Sequence, residues 1–132
     1  MMEDKYVTVT GMKYYTHPAF YTGDVLHCVK EPKNSVDTEA IYAEIPIFGK
    51  VGYVANTWHT KARGTFSAGR IYDTVGKEFF VELCFILPNA MIARVVETTP
   101  DVLERYRKKG EEAGKEKPPD LPPFIYEKAV DD

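Results

Sequence analysis

Aromatic and basic side chains are the residues of this sequence whose types and positions could do chemistry. The chain has nine Tyr, seven Phe and one Trp, and Lys13 directly precedes the pair Tyr14-Tyr15. Proteins that bind unpaired nucleic acid stack bases on aromatic rings and contact phosphates with Lys or Arg, and each stacked base contributes on the order of 1 to 3 kcal/mol. The sequence therefore permits such a site, although strand tyrosines more often cover a hydrophobic core.

Metal binding is a second chemistry to consider. The potential nitrogen and sulfur ligands are His17, His27, Cys28, His59 and Cys84. They show neither the CxxC nor the HxxxH spacing that is typical of zinc sites. The acids Asp37, Glu39 and Glu44 leave a metal-dependent hydrolase open as an alternative, but we expect no metal and no other cofactor.

Other catalytic motifs are also missing from the sequence. The glycine-rich stretch 64–70 lacks the Gly-Lys-Ser/Thr ending that holds phosphates and magnesium. No Ser or Cys lies in a nucleophile elbow. We therefore expect a binding module without catalytic activity of its own.

Length and charge limit the remaining possibilities. A chain of 132 residues and 15.0 kDa fits one domain. The net charge is −3, and residues 1–98 hold ten Lys+Arg against eleven Asp+Glu, so any nucleic-acid site must be local. No run approaches the roughly 18 apolar residues of a membrane span, and the N-terminus does not resemble a signal peptide. We expect a cytoplasmic protein in which Cys28 and Cys84 are buried free thiols.

The elements that must position these side chains are mostly strands. Alternating or apolar runs with turn residues between them predict strands at 5–15, 25–30, 40–45, 51–54, 78–87 and 91–97, with a bulge at Gly11 and a turn at 48–50. Glycine and polar residues between 55 and 72 predict short helical turns. The predicted fold class is mainly β: a small six-stranded antiparallel barrel.

A helix and a proline-rich segment follow the barrel. Thr99 and Pro100 suit the start of a helix, and Val102, Leu103 and Tyr106 give that helix an apolar stripe. We expect a barrel domain at 1–98, a C-terminal helix at 99–117 and a Pro-rich tail at 118–132. The tail could pack on the domain, bind a partner or stay mobile.

The segment 31–54 combines an Asx-type loop with a hairpin. Pro32, Asn34 and Asp37 predict a self-bonding loop, and Val51-Gly52-Tyr53 returns as a strand. This order of residues, together with the upstream strand that ends in paired tyrosines, resembles the core signature of the HIRAN domain. That family is a small β-rich module with a modified OB-like barrel, found alone or fused to Swi/Snf-type ATPases. The resemblance covers residues 5–97.

The resemblance implies a ligand and a set of contacts. HIRAN domains of the remodeller type recognise the 3′ end of single-stranded DNA. By position, Asp37 would bind the terminal hydroxyl, Tyr14 would contact a base, and Lys13 would meet phosphate. Tyr53 stands where those domains have a histidine, and it could still stack or donate a hydrogen bond. Val36 stands where those domains have a stacking tyrosine, and Asn56 where they have a phosphate-binding lysine. Lys61 and Arg63 lie nearby in sequence and are the remaining candidate phosphate contacts.

Each of these residues also has a structural interpretation. Asp37 could simply hold its own loop in an Asx turn, the lysines could be solvated, and Trp58 could plug one end of the barrel. A protein-interaction module that docks on a separate DNA-processing ATPase or nuclease is the main alternative function. The expected partners are therefore single-stranded or 3′-ended DNA, or such an enzyme, and no membrane.

Overall fold

Period-two alternation of apolar residues produces six strands that close on themselves. The computed structural model describes residues 4–57 and 59–115. The strands are β1 (Tyr6–Thr10), β2 (Val25–Lys30), β3 (Ile41–Ile45), β4 (Gly49–Val54), β5 (Glu78–Ile86) and β6 (Ala90–Val96). They form a closed barrel in the order β1-β4-β3-β2-β5-β6, and every neighbouring pair is antiparallel. The predicted mainly β fold with a six-stranded antiparallel barrel is confirmed.

The barrel interior is filled by small and branched apolar side chains. Val7 and Val9 of β1 are both fully buried and belong to this core, as the alternation predicts. Thr8, on the opposite side of the strand, is also fully buried. Its hydroxyl lies 2.8 Å from that of Thr65 and accepts a hydrogen bond from the Ala62 N–H at 2.9 Å. The connection after β4 therefore covers the outer side of β1.

The first strand is shorter than predicted. Gly11 adopts a φ of +84°, and Met12–Tyr14 forms a 3-10 helix instead of continuing the strand. The Tyr14 N–H donates to the Gly11 carbonyl at 3.0 Å. Left-handed backbone is accessible to glycine without a steric cost, so Gly11 ends the strand and is not a bulge within it.

Two further sequence interpretations need correction. The turn between β3 and β4 precedes Gly49, so the predicted turn at 48–50 is displaced, because Gly49 itself pairs with Ile45. Cys28 is a buried free thiol, whereas the free thiol of Cys84 is only half-buried. Cys84 lies where the β5–β6 register shifts between Leu83 and Phe85, and a bulge turns a side chain out of the alternation.

The predicted short helical turns are a single turn of α-helix, α1 (Ala68–Ile71), followed by a 3-10 helix at Tyr72–Thr74. The Ser67 side chain caps α1 by accepting the Arg70 N–H.

A C-terminal helix, α2 (Pro100–Lys115), is also present. The Thr99 hydroxyl accepts the Val102 N–H at 3.2 Å, which confirms the predicted N-cap.

Helix α2 packs on the outside of the barrel. Val102 forms a small cluster with Val25 and Phe80, and Tyr106 packs against it. The sequence places Leu103 on this stripe, but Leu103 is 46% exposed, because one residue step turns the helix by about 100° and so directs Leu103 away from the face that carries Val102. Neither α2 nor any other helix among residues 4–57 and 59–115 is long and apolar enough to cross a membrane. The predicted tail at 118–132 lies outside the described residues.

Candidate functional site

A groove of about 700 Å³ opens beside the end of β1. It is lined by residues 10–14, His17, Phe20, Thr60 and residues 86–91. Among these described lining residues there is no Asp or Glu, although the chain has 20 acids. The groove thus combines apolar and aromatic walls with the ammonium group of Lys13, and this combination favours an anionic ligand that has flat apolar parts.

Lys13 and Tyr14 are presented at this groove by the 3-10 helix. The Tyr14 side chain is 67% exposed, and the Lys13 ammonium lies 5.1 Å from the centroid of its ring. An exposed ring with a cation beside it can accept both a stacked base and the neighbouring phosphate. The buried Met12 anchors the helix in the core.

The opposite wall of the groove is the hairpin between β5 and β6. Ile86 and Leu87 line the groove and are 41% and 47% exposed. The adjacent Phe85 is 58% exposed. The tip is held by the Leu87 N–H, which donates to the Ala90 carbonyl at 2.8 Å. Sequence reasoning missed this wall because the same apolar run also forms the buried part of β5.

Tyr53 lies one strand away from the groove. It pairs in register with Thr10, a lining residue. Its hydroxyl donates to Glu31 at 2.8 Å and accepts from the Lys50 ammonium at 3.2 Å. Partial burial and the bond to Glu31 raise the pKa of the Tyr53 phenol.

Glu31 joins this tyrosine to the Asx loop. Its carboxylate accepts from Lys50 at 2.6 Å, from Tyr53, and from the Asn34 amide at 2.6 Å. Burial alone would raise the pKa of Glu31, but the hydrogen bonds from Lys50, Asn34 and Tyr53 lower it. Glu31 therefore stays charged and holds the loop against β4.

Asp37 is tied into the same loop through both carboxylate oxygens. Oδ1 accepts the Glu39 N–H at 2.9 Å, and Oδ2 accepts the Asn56 amide at 2.7 Å. The Asp37 N–H donates to Asn34 Oδ1 at 2.9 Å, and Asn56 Oδ1 accepts the Gly69 N–H at 2.7 Å. The Asx loop, β4 and α1 thus form one hydrogen-bonded network, and each Asp37 oxygen keeps a second lone pair.

The other predicted contacts occupy the loop after β4. Lys61 is half-buried and Arg63 is exposed. Thr60 lines the groove, and the Lys61 N–H donates to the Thr57 carbonyl at 3.2 Å. Trp58 lies outside the described residues. Val36, at the position of the family's stacking tyrosine, is 93% exposed.

The three acids considered for a metal-dependent hydrolase do not converge. Glu44 accepts from His27 at 2.7 Å on the outer side of the barrel, while Asp37 binds Asn56. Among the described residues, no group of three or more His, Cys, Asp or Glu side chains could hold a metal ion.

The fold that carries this groove matches a known one. The crystal structure of the HIRAN domain of human HLTF superposes with a TM-score of 0.52 over 84% of this chain and 88% of that chain, at 14% sequence identity. The chain has a HIRAN-like fold. No family model and no curated protein matches the sequence. At this identity the likeness shows the fold alone.

Proposed function

We propose that this protein is a nucleic-acid-binding module that recognises single-stranded or 3′-ended DNA and has no catalytic activity of its own. The observation that carries the proposal is the groove, whose described lining residues include no acid and which places the exposed Tyr14 ring beside the Lys13 ammonium. The HIRAN-like fold supports the same conclusion. Such a module would act in DNA repair or processing.

The chemistry of the groove suits a single strand better than a duplex. Stacking on Tyr14 requires a base whose face is free, and a paired base in a duplex has both faces covered by its neighbours. The apolar wall at Ile86 and Leu87 offers further contact area for an unstacked base. Lys13 provides one local phosphate contact, so we expect modest affinity and a shallow salt dependence.

The proposal is tested by fluorescence anisotropy with labelled oligonucleotides at low salt. We expect single strands to bind more tightly than duplexes of the same sequence. Tyr14→Ala should weaken binding by roughly tenfold, since a stacked base contributes about 1 to 3 kcal/mol, while Tyr14→Phe should bind as the wild type does. Tyr21→Ala is a matched control because Tyr21 is 59% exposed but does not line the groove.

Paired probes with a 3′ hydroxyl or a 3′ phosphate test the end preference. Tighter binding of the hydroxyl form supports recognition of a 3′ end, whereas equal binding restricts the proposal to single strands. Negligible binding of every probe would refute the function.

A protein-interaction module is the second candidate, and the β5–β6 hairpin favours it. Phe85, Ile86 and Leu87 are consecutive apolar residues with large exposed fractions, and contiguous exposed apolar surface often marks a protein contact. The partner would be a separate DNA-processing ATPase or nuclease. Phe85→Ser leaves the groove lining unchanged, so loss of enzyme binding with normal oligonucleotide binding would support this candidate.

A further inference from the structure

A row of side chains on the outer face of the barrel leads from the groove to Lys50, which has no part in the function proposed above. Thr10, at the edge of the groove, pairs with Tyr53 of β4, and Tyr53 pairs with Tyr42 of β3. Directly paired residues project from the same face of a sheet. Thr10, Tyr53 and Tyr42 therefore form a row that leads away from the groove, and the ammonium of Lys50 lies over this row.

Lys50 is held in place by four groups. Its ammonium lies 4.6 Å from the centroid of the Tyr42 ring and 5.6 Å from that of Tyr53. It donates to Glu31 at 2.6 Å and to the Tyr53 hydroxyl at 3.2 Å. The side chain is nevertheless 39% exposed. An ammonium has three donors, and the described residues accept two of them.

We propose that Lys50 is a further phosphate-binding residue, which extends the nucleic-acid path from the groove across the outer face of β4. This inference depends on the proposed function. The strand would leave the groove beside Thr10, pass Tyr53 and place a phosphate oxygen on the third donor of Lys50. The two rings and Glu31 fix the position of the ammonium before binding, which reduces the entropy lost in ordering it.

Glu31 affects the proposed contact between Lys50 and a phosphate in two opposite ways. Its hydrogen bond raises the pKa of Lys50, so the ammonium remains charged. The same carboxylate is also an anion near the phosphate, and like charges repel. Glu31 thus positions Lys50 and at the same time limits the affinity for nucleic acid.

The test uses the full chain and two single-stranded DNA probes, a dinucleotide and an oligonucleotide of about 12 nucleotides, a length within the range that one OB fold occupies. Tyr42 is two strands away from Thr10, or about 10 Å, so the dinucleotide is short enough to occupy the groove without reaching Lys50, whereas the long probe can reach it. Lys50→Gln should weaken the long probe on the order of tenfold, as expected for the loss of one charge-assisted hydrogen bond, and leave the short probe unchanged. It should also reduce the slope of log affinity against log salt by about 0.7, the value for one single-strand phosphate contact.

Three companion variants make the outcome specific. Glu31→Gln should bind the long probe more tightly than the wild type, and Lys50→Arg should retain the salt slope. Lys108→Gln removes the same charge from an exposed position on α2 and should change neither probe, and urea unfolding checks that each variant is folded. An unchanged slope in Lys50→Gln, or equal weakening of both probes, would overturn the Lys50 path while the groove proposal stands. If the wild type binds neither probe, both proposals fail.

Discussion

A Cβ atom on Gly52 would lie 2.7 Å from the carbonyl oxygen of Thr10 and 3.0 Å from Val9 Cγ1. The backbones of β4 and β1 therefore approach too closely for any side chain at position 52. Gly52 is the glycine of the Val-Gly-Tyr sequence. Glycine is required at this position because there is no space for a Cβ atom, and not because the backbone needs a conformation that only glycine adopts.

We expect Gly52→Ala to destabilise the barrel by about 1 to 3 kcal/mol, the usual cost of forcing extra atoms into a packed site. Urea unfolding followed by circular dichroism measures this change. Gly76→Ala is the control, since the nearest atom to a Cβ there, the Glu78 carbonyl oxygen, is 3.7 Å away. Equal stability of the two variants would contradict the argument.

The barrel could be predicted from the sequence because its strands have local signals. The alternation at Val7 and Val9 and the apolar run of β5 each predict a strand without knowledge of the neighbours. The ends of elements were less predictable. The sequence predicts a bulge at Gly11 because it does not reveal a positive φ, and it predicts Leu103 on the apolar stripe because only packing shows which side of a helix touches the barrel.

The groove was only partly predictable, because segments that are distant in sequence come together to form it. Lys13 and Tyr14 are adjacent in sequence, so their contact could be expected. The hairpin at Ile86 and Leu87 reaches the same groove through strand pairing between distant segments, and no local pattern encodes that approach. The bond between Asp37 and Asn56 likewise joins residues 19 positions apart.

Glu82 makes the attachment of α2 dependent on pH. Hydrogen bonds from Arg105 at 2.5 Å and from Arg94 at 2.9 Å lower the pKa of the Glu82 carboxyl below its usual value of 4.5. A carboxyl whose pKa is depressed in the folded state contributes stability above its unfolded pKa, and this contribution is lost as the pH falls through the folded pKa. Glu82 is 21% exposed, so its bonds to Arg105 and Arg94 are only partly screened by solvent.

We therefore expect Glu82→Gln to lower the free energy of unfolding by about 1.5 to 3 kcal/mol at pH 7, the range for hydrogen bonds to charged groups. The difference from the wild type should shrink as the pH falls from the unfolded pKa of 4.5 through the lower folded pKa, where the wild-type carboxyl also becomes neutral. Urea unfolding of the wild type and of Glu82→Gln at several pH values measures the loss of stability and its dependence on pH. If the difference in free energy of unfolding between Glu82→Gln and the wild type does not change with pH, Glu82 stabilises the fold through the packing of its side chain and not through its charge.

Lys109 is a buried cation that clamps α2 to the loop before β2. Its side chain is 3% exposed, lies 2.9 Å from Asp24 and donates to the Ala19 carbonyl at 2.7 Å. We expect Lys109→Met to cost about 3 kcal/mol, because removal of one partner leaves the other charge uncompensated in a partly buried position. Asp24→Asn in the same chain should recover part of this loss. A double-mutant cycle by urea unfolding measures the coupling, and strict additivity would show that the pair does not interact.

The pair Asp37 and Asn56 allows the structural and ligand-binding roles of a carboxylate to be separated. The Asn56 amide donates to Asp37 Oδ2, while Asn56 Oδ1 accepts the Gly69 N–H. Asp37→Asn places two amide NH₂ groups against each other, and we expect a loss of about 1 kcal/mol of stability, the net value of a typical hydrogen bond. The double variant Asp37→Asn, Asn56→Asp restores a donor facing an acceptor, so it should recover most of that stability in urea unfolding.

The swapped chain has the same net charge as the wild type, but its carboxylate has moved across the hydrogen bond. If Asp37 binds the terminal hydroxyl, as the HIRAN resemblance implies, the swap should restore stability without restoring any preference for a 3′ hydroxyl over a 3′ phosphate. Anisotropy titrations with the two probes measure that preference directly. A swapped chain that regains both stability and preference would show that Asp37 acts only by holding its loop, and that other residues recognise the end of the strand.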